Sequence, residues 1–247
     1  MLLGRVPARG GAASPLTCRV VRALVNCGVA SHSPTTIAVF ASGQGGNFEA
    51  LARADREGTL GGRIAALFCD VPLAPVCERA RRLGIEVVTP PVGRFRTRLE
   101  DESPWLGELE RRGVGTLALA GFMRRLHTPL LGAYRDRILN IHPSLLPAFP
   151  GLEAIARAFE HGAKLTGCTV HMVDEGLDDG PILAQTGVEV REDDTLETLT
   201  SRIHAAEHVL YPATVRRFLT DSWQREGRRV HFASQRAGAP AREARHA

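Results

Sequence analysis

The sequence predicts an α/β protein: a single Rossmann-like domain in which a mostly parallel, twisted sheet is flanked by helices. Short apolar runs alternate with segments of helical periodicity from residue 36 onward. Such alternation favours right-handed βαβ units and therefore a parallel sheet. With 247 residues, of which 44% are hydrophobic, the chain is long enough to bury one core of this size.

The first half of the pattern consists of buried strands, each a short apolar run, separated by amphipathic segments. The predicted strands lie at residues 36–42, 64–70, 85–90, 116–122 and 138–142. The predicted helices between them lie at residues 47–58, 76–84, 104–113 and 129–136. Gly58 and Gly84 end the first two helices, because glycine readily adopts the left-handed conformation that stops a helix.

The second half continues with a helix, two strands for which antiparallel pairing is one arrangement, and a long closing helix. These elements are predicted at residues 152–162, 168–174, 181–190 and 195–220. Asp194 or Thr195 is expected to cap the closing helix, and Pro212 is expected to kink it.

The two ends of the chain lack this periodicity. We therefore expect a disordered extension at residues 1–35, a folded domain at 36–221 and a basic, disordered tail at 222–247. The net charge of +4 comes from arginines in the two ends, so it is only a weak indication of nucleic-acid binding by the domain. The Arg-rich, acid-poor start overlaps in composition with an organelle transit peptide; a disordered extension and a misassigned start codon are the alternatives.

Composition excludes two further classes. No run of 18 apolar residues is present, so we expect no transmembrane helix and no membrane partner. The five cysteines have no CxxC spacing, which predicts reduced thiols in a cytoplasmic protein and no metal site.

The glycine-rich segment 41–47, "ASGQGGN", lies between the first strand and the first helix. Glycines there allow close approach of the backbone to a ligand, and amides at a helix N-terminus bind anions. The dinucleotide fingerprint does not fit, because Phe48 occupies the third glycine position and Asp70 lies too far along the chain. We expect this loop to hold a single phosphate; a tight turn with glycines for packing is the alternative.

A polar pair lies in the apolar run "ILNIHPSLLPAFPG", residues 138–151. If 138–142 is a strand, Asn140 and His142 point to the same face at its carboxyl end, where open α/β sheets bind ligands. The acidic loop at 174–181 supplies a carboxylate that could orient the imidazole. These groups match the needs of acyl transfer, namely oxyanion donors and a proton relay. No nucleophile elbow is present, which favours direct attack by a substrate amine. A histidine with a purely structural role and a solvated acidic turn are the alternatives.

Five segments together resemble the folate-dependent formyltransferases, and most closely the phosphoribosylglycinamide formyltransferases, over residues 36–220. They are "SGQGGN" (42–47), "LAGFMRRL" (119–126), "LNIHPSLLPAFPGL" (139–152), "GCTVHMVDEGLDDGPIL" (167–183) and "AAEHVLYP" (205–212). The resemblance implies the formyltransferase fold, with 36–221 as the catalytic domain. It also implies transfer of the formyl group of 10-formyltetrahydrofolate, a co-substrate, to the amine of glycinamide ribonucleotide in purine biosynthesis. Both partners are small molecules, no metal is required, and the chain is expected to be a monomer or a homodimer.

The resemblance also implies site residues. Asn140, His142 and Asp178 would form the catalytic trio, with His171 close behind it. The phosphate and ribose of the substrate would be bound by Gly45, Gly46, Asn47, His204 and Glu207. The folate would be bound by Arg98, Met123, Arg124, Arg125, Leu126 and Asn140. Five positions depart from the common pattern: Gly46 replaces a usual serine, His204 a glutamine or lysine, Asp179 a frequent glycine, and Glu153 and Ile155 polar residues.

Four other functions compete with this interpretation. Formyltetrahydrofolate hydrolase shares the trio but carries a folded domain before it, for which 1–35 is too short and poorly patterned. Methionyl-tRNA formyltransferase carries a large tRNA-gripping domain, for which 222–247 is too short. A binding protein without catalysis is disfavoured because the trio is filled with competent residues. An NAD-dependent oxidoreductase is disfavoured by the glycine pattern.

Overall fold

One sheet of nine strands runs through residues 35–233, the part of the chain that the computed structural model describes. The strands are β1 (Thr35–Phe40), β2 (Gly62–Phe68), β3 (Glu86–Val88), β4 (Thr116–Leu119), β5 (Ile138–His142), β6 (Leu165–Met172), β7 (Ile182–Glu189), β8 (Trp223–Glu226) and β9 (Arg229–Phe232). The helices are α1 (Gly46–Arg56), α2 (Pro75–Arg82), α3 (Ser103–Arg111), α4 (Thr128–Ala133), α5 (Ala154–Glu160) and α6 (Leu196–Thr220). The predicted α/β class is confirmed, and the elements predicted between residues 36 and 220 are present with ends shifted by a few residues.

The strand order is β3-β2-β1-β4-β5-β6-β7-β9-β8. The first five strands in this order are parallel, whereas β6 pairs antiparallel with both β5 and β7. The order reverses between β1 and β4, so the loops that follow these strands diverge and leave a crevice at the carboxyl edge. In open α/β sheets, ligands bind at such a point.

Both faces of the parallel strands are buried, which is why they read as continuous apolar runs. In β1, Ile37 and Val39 pack on the face covered by α1, α2 and α6. Phe40 belongs to the opposite face, where its ring stacks on Phe68 at a centroid distance of 5.1 Å and on Trp105 of α3 at 5.5 Å. The sheet is therefore held rigidly between two helical layers.

The long helix α6 lies in the same layer as α1 and α2. Thr195 is its N-cap and accepts a hydrogen bond from the amide of Thr198 at 3.2 Å. Of the two caps predicted, Asp194 and Thr195, the structure therefore has the second. Tyr211 is buried under the sheet, and its hydroxyl hydrogen-bonds to the carbonyl oxygens of Leu119 and Leu139, at 2.9 and 3.1 Å. The helix is thereby tied to β4 and β5, and it continues through Pro212.

The predicted start of a disordered tail at residue 222 is wrong. β8 and β9 form a hairpin that turns at Gly227 and extends the sheet, with Arg229 of β9 paired to Ile182 of β7. The ring of Trp223 stacks on Phe218 of α6 at 5.0 Å. In β9, Arg229 and His231 alternate with Val230 and Phe232, but four residues are too few to make this period-two pattern stand out in the sequence. The expectations for residues 1–34 and 234–247 concern positions outside the described residues.

Candidate active site

β5 carries two polar side chains into the crevice. Leu139 and Ile141 face the helix layer of α1 and α6, so Asn140 and His142 between and after them face the other way. In the antiparallel pairing of β5 with β6, Asn140 lies opposite His171 and His142 lies opposite Thr169. Asn140, His142 and His171 thus lie side by side on two adjacent strands.

His142 is 5% exposed, and an oxygen atom lies near each of its ring nitrogens. Its Nε2 lies 2.9 Å from the carbonyl oxygen of Phe149, which can only accept, so Nε2 carries a hydrogen. Its Nδ1 lies 3.4 Å from Oδ2 of Asp178. When the ring gains a second proton, that proton sits on Nδ1 and faces the carboxylate.

Asp178 is held above His142 by its own backbone. Its φ is 50°, in the left-handed region that few residues other than glycine, asparagine and aspartate occupy. Its Oδ2 accepts a hydrogen bond from the amide of Gly151 at 2.8 Å. A strained conformation that aims one carboxylate at an imidazole is characteristic of functional sites.

His171 is neutral and orients Asn140. Its Nδ1 donates to the carbonyl oxygen of Met172 at 2.8 Å, so Nε2 is free to accept from Nδ2 of Asn140 at 3.1 Å. Burial lowers the pKa of His171, against the raising effect of Asp178 nearby, because desolvation penalises the charged ring. The amide of Asn140 keeps its second hydrogen for a ligand.

The loop after His142 is fixed by Thr169, which was not among the predicted site residues. The hydroxyl of Thr169 donates to the carbonyl oxygen of Ser144 at 2.7 Å and accepts from the amide of Leu146 at 3.0 Å. The side chain of Gln185 donates to the carbonyl oxygen of Leu146 at 2.8 Å. These hydrogen bonds tie the loop after His142 to β6 and β7.

The glycine loop leads into α1. Gly45 is its N-cap, with φ of 81°, and a Cβ there would lie 2.5 Å from Cγ2 of Val76. Because the N-cap is a glycine, no capping side chain hydrogen-bonds to the amides of the first turn. Oδ1 of Asn47 is buried and has no hydrogen-bond partner among residues 35–233. Free amides and an unpaired acceptor at a helix N-terminus fit a ligand with both anionic and donor groups.

Glu207 of α6 lies beside this loop and is 3% exposed. Its Oε2 accepts a hydrogen bond from Nδ2 of Asn47 at 3.0 Å. Burial raises the pKa of Glu207 to about 7, and the hydrogen bond from Asn47 opposes this rise. The carboxyl group is therefore poised to accept from ligand hydroxyls or, when protonated, to donate.

A buried ion pair orders the loop after β4. Nε of Arg124 lies 2.8 Å from Oδ2 of Asp70, and their side chains are 12% and 4% exposed. Ser42 donates to Oδ1 of Asp70 at 2.5 Å and accepts from the amide of Met123 at 2.9 Å. Asp70 is thus fully engaged by the protein, which agrees with the rejection of a dinucleotide site. The guanidinium of Arg124 is structural, so only its main chain is free to meet a ligand.

The structure brings Arg98 to the same loop. Arg98 forms a β-bridge with Arg125, and the amide of Arg125 donates to the carbonyl oxygen of Thr97 at 2.9 Å. The guanidinium of Arg98 lies 4.1 Å from the ring centroid of Phe95 and remains exposed. Leu126 is buried next to this bridge, whereas Met123 is exposed. An exposed cation beside an ordered main chain suits an acidic, partly flat ligand.

On α6, a second histidine, His208, lies against the glycine loop, and the role predicted for His204 stays a prediction. A Cβ on Gly46 would lie 2.6 Å from Nε2 of His208. His204 is exposed one helical turn earlier and lies near enough to His208 to lower its pKa. Sequence reasoning did not name His208, although this residue lies in the segment 205–212 that carries the resemblance.

Metal-binding clusters, membrane-spanning helices and reactive thiols were looked for among residues 35–233. No three histidine, cysteine or acidic side chains there form a cluster able to hold a metal ion. None of the helices in the same range is long and apolar enough to cross a membrane. Cys69, Cys77 and Cys168 are buried free thiols, and burial raises the pKa of Cys69 and of Cys168 to about 12.

Comparison with known proteins agrees with this geometry. The family model described as formyl transferase matches residues 35–215. The phosphoribosylglycinamide formyltransferase of Bacillus subtilis is 46% identical over 182 residues, which are 74% of this chain and 93% of that protein. The trifunctional purine biosynthetic protein of Drosophila melanogaster is 39% identical over 178 residues, but these are only 13% of its length.

A solved structure shows the same architecture. Glycinamide ribonucleotide transformylase 1 from Symbiobacterium toebii is 44% identical, with a TM-score of 0.78, over 82% of this chain and 95% of that one. The transformylase 1 from Geobacillus kaustophilus is 46% identical, with a TM-score of 0.71, over 75% and 99% of the two chains. Because the family model matches more than half of the chain, the chain belongs to the formyl transferase family.

Proposed function

We propose that the protein transfers the formyl group of 10-formyltetrahydrofolate to the primary amine of glycinamide ribonucleotide. The observation that carries this proposal is the convergence of Asn140, His142 and Asp178 at the carboxyl end of β5. The names of the relatives from Bacillus subtilis and Symbiobacterium toebii support the choice of substrate. The reaction is a step of purine biosynthesis.

The two substrates enter the crevice from different sides. The phosphate of the ribonucleotide is held by the amides of Gly45, Gly46 and Asn47, and Glu207 accepts from the ribose hydroxyls. The folate lies along the main chain from residue 123 to 126, with Arg98 near its acidic tail. In this arrangement, the formyl carbon of the folate faces the amine of the ribonucleotide, next to Asn140.

Asn140 and His142 stabilise the negative charge that develops on the formyl oxygen when the amine attacks. Asn140 uses the amide hydrogen that His171 leaves free. His142 donates Nε2–H to Phe149 in the free protein, so its donation to the substrate requires this bond to be exchanged. One such donor is worth about 3 kcal/mol of transition-state stabilisation.

Asp178 and His142 move the proton that the reaction displaces. The attacking nitrogen loses one proton, and the folate nitrogen that leaves the formyl carbon gains one. A proton on Nδ1 of His142 is stabilised by Asp178, so the pair can hold the charge between these two events. Because no side-chain nucleophile is needed, no acyl-enzyme forms.

The test is the absorbance change that accompanies deformylation of 10-formyltetrahydrofolate by the purified full-length protein. We expect the change only when glycinamide ribonucleotide is present, with one formylated ribonucleotide formed for each folate released. Release of formate at the same rate without the ribonucleotide would instead identify a hydrolase. No reaction with either acceptor would contradict the proposal.

A further inference from the structure

The peptide group that joins Pro150 to Gly151 is held at both of its polar atoms. Its N–H donates to Oδ2 of Asp178 at 2.8 Å, and its carbonyl oxygen accepts from Nη1 of Arg157 at 2.6 Å. The two bonds point in opposite directions, because the peptide is planar and trans. A guanidinium of α5 and the carboxylate that faces His142 are therefore joined through one rigid group.

The orientation of this peptide group is easily lost at a glycine. Gly151 has φ of 82°, and glycine occupies negative φ about as readily as positive φ. A flip of the preceding peptide therefore meets little resistance from the residue itself. The flipped peptide would turn a carbonyl oxygen toward the carboxylate of Asp178, which can only accept a hydrogen bond. A contact from outside the turn is needed to hold the N–H in place.

Arg157 contacts the turn at three points. Besides its bond to Pro150, its Nη1 lies 3.5 Å from the carbonyl oxygen of Leu152, at the limit of a hydrogen bond. Its guanidinium carbon lies 5.8 Å from the centroid of the Phe149 ring, within the range of a cation–π contact. The guanidinium thus spans residues 149–152 on the side of the peptide that faces away from the carboxylate.

Charge adds to this positional effect. A cation at the carbonyl oxygen and an anion at the N–H polarise the peptide group in the same sense, so each hydrogen bond strengthens the other. The N–H of Gly151 donates to Oδ2 of Asp178, which is the oxygen that lies 3.4 Å from Nδ1 of His142. The direction of the catalytic carboxylate therefore depends on this one donor.

We propose that Arg157 is a positioning residue, which locks the peptide between residues 150 and 151 so that Asp178 stays directed at His142. When the imidazole exchanges its bond to Phe149 for the substrate, the carboxylate then keeps its place. The inference rests on the proposed function, because it concerns the carboxylate assigned there to proton transfer. Arg157 itself lies outside the five segments that carry the resemblance.

The N–H of Gly151 provides a readout that needs no formyl transfer. In isotope-labelled full-length protein, its bond to a carboxylate should place its proton resonance downfield and slow its exchange with solvent. Arg157 is exposed, so Arg157→Ala should leave the fold intact. It should move the resonance upfield and speed up the exchange about tenfold or more, the scale of one hydrogen bond to a charged group. Arg157→Lys keeps one donor and should restore most of both values.

Arg137 offers a matched control at the amino end of β5. Its guanidinium donates to the carbonyl oxygens of Gly115 and Ala133, at 3.1 and 2.6 Å, and lies 5.1 Å from the ring centroid of Tyr134. Arg137→Ala therefore removes the same kinds of contact as Arg157→Ala. It should lower Tm by a similar amount and leave the Gly151 resonance and kcat unchanged.

Steady-state kinetics measure the consequence for catalysis. Arg157→Ala should lower kcat about tenfold, less than the roughly 100-fold expected when the carboxylate charge itself is removed. KM for both substrates should stay within about threefold, because neither substrate loses a contact. Arg157→Lys should recover most of kcat. In the Asp178→Asn background, Arg157→Ala should lower kcat less than about threefold, because the charge that it positions is already absent.

Two results would overturn the inference. One is a Gly151 resonance and exchange rate that Arg157→Ala leaves unaltered, and the other is an equal loss of kcat with and without Asp178→Asn. Formyl transfer with normal kcat in Arg157→Ala would likewise refute the role of Arg157 and leave the proposed function intact. The amide measurements need no reaction, so they remain decisive for the lock on Asp178 if the proposed formyl transfer is absent.

Discussion

The two ends of the crevice differ in how far the protein completes them by itself. At the end of β5, His142, His171 and Asp178 each have a partner within the chain. At the start of α1, the cap supplies no side chain and Oδ1 of Asn47 has no partner among the described residues. The catalytic side chains are thus held in position by the protein, although His142 must exchange its bond to Phe149, whereas the anchoring groups await a ligand.

This difference follows from what each end has to do. Proton transfer and oxyanion stabilisation require donors fixed in advance, because reorganisation during the reaction would cost part of the rate enhancement. Anchoring a phosphate requires open donors, because every amide already used by the protein is lost to the ligand. Substitutions at the first end should therefore reduce turnover, and substitutions at the second should raise KM.

The largest expected effect is at Asp178. Asp178→Asn keeps the residue size, tolerates the left-handed backbone and can still accept from Gly151, but it removes the charge beside His142. We expect kcat to fall by roughly 100-fold or more, the scale of a general acid–base contribution, with KM and Tm changed much less. Steady-state kinetics and thermal unfolding measure the two effects separately.

Asp179 offers a matched control for this charge. Its carboxylate pairs with Arg228 at 3.0 Å, and both side chains are more than half exposed. Asp179→Asn should therefore change stability by at most about 0.5 kcal/mol and leave kcat near normal. Loss of turnover at Asp179 together with tolerance at Asp178 would mean that the catalytic carboxylate is assigned wrongly.

At the opposite end, Gly45→Ala should act on substrate binding. The added methyl group would meet Val76 on a backbone with φ of 81°, so the loop must move away from the phosphate. We expect the KM for the ribonucleotide to rise about tenfold and the free energy of unfolding to fall by about 1–2 kcal/mol. Equal increases in KM for both substrates would contradict an anchoring role confined to phosphate.

Destabilising the hairpin of β8 and β9 tests whether turnover at the end of β5 depends on this edge of the sheet. Trp223→Ala removes the ring that stacks on Phe218, which should lower the free energy of unfolding by about 1–2 kcal/mol. Turnover at a temperature well below unfolding should stay normal. Chemical denaturation of Trp223→Ala beside His231→Ala, which removes an exposed hairpin residue, measures the difference; equal midpoints would show that the hairpin adds no stability.

The smallest expected effect is the pH dependence that His171 contributes. The pKa of His171 in the folded protein is below its ordinary value, so the unfolded chain takes up a proton first as the pH falls. Its contribution to stability is therefore present above about pH 6.5 and is lost below it. His171→Gln should reduce the drop in Tm between about pH 7.5 and pH 5.5. An unchanged drop would show that other groups, such as His204 or His208, cause it.

Local periodicity was sufficient to predict the sheet up to α6 and the shared face of Asn140 and His142. Both depend on neighbours in sequence, and side-chain alternation along a strand is a local property. The hairpin was missed because β9 pairs with β7, which is distant in the chain, and its four-residue strands are too short to outweigh their arginines.

The sites that sequence reasoning missed share this dependence on distant partners. Thr169 stabilises the loop after His142 only because β6 lies beside β5. His208 reaches Gly46 only because α6 packs on α1. Contacts that arise only between distant elements cannot be read from one segment alone.

The most direct test of this division is formyl transfer to glycinamide ribonucleotide compared with its dephosphorylated ribonucleoside, measured as single turnovers with saturating 10-formyltetrahydrofolate. If catalysis is preorganised and the phosphate only anchors, the maximal rates should agree within about tenfold, the spread that one weak interaction produces. The half-saturating concentrations should differ by roughly 100-fold or more, as for the loss of a charged anchor. Equal half-saturation for the two acceptors, or a ribonucleoside that is not formylated at any concentration, would contradict the account.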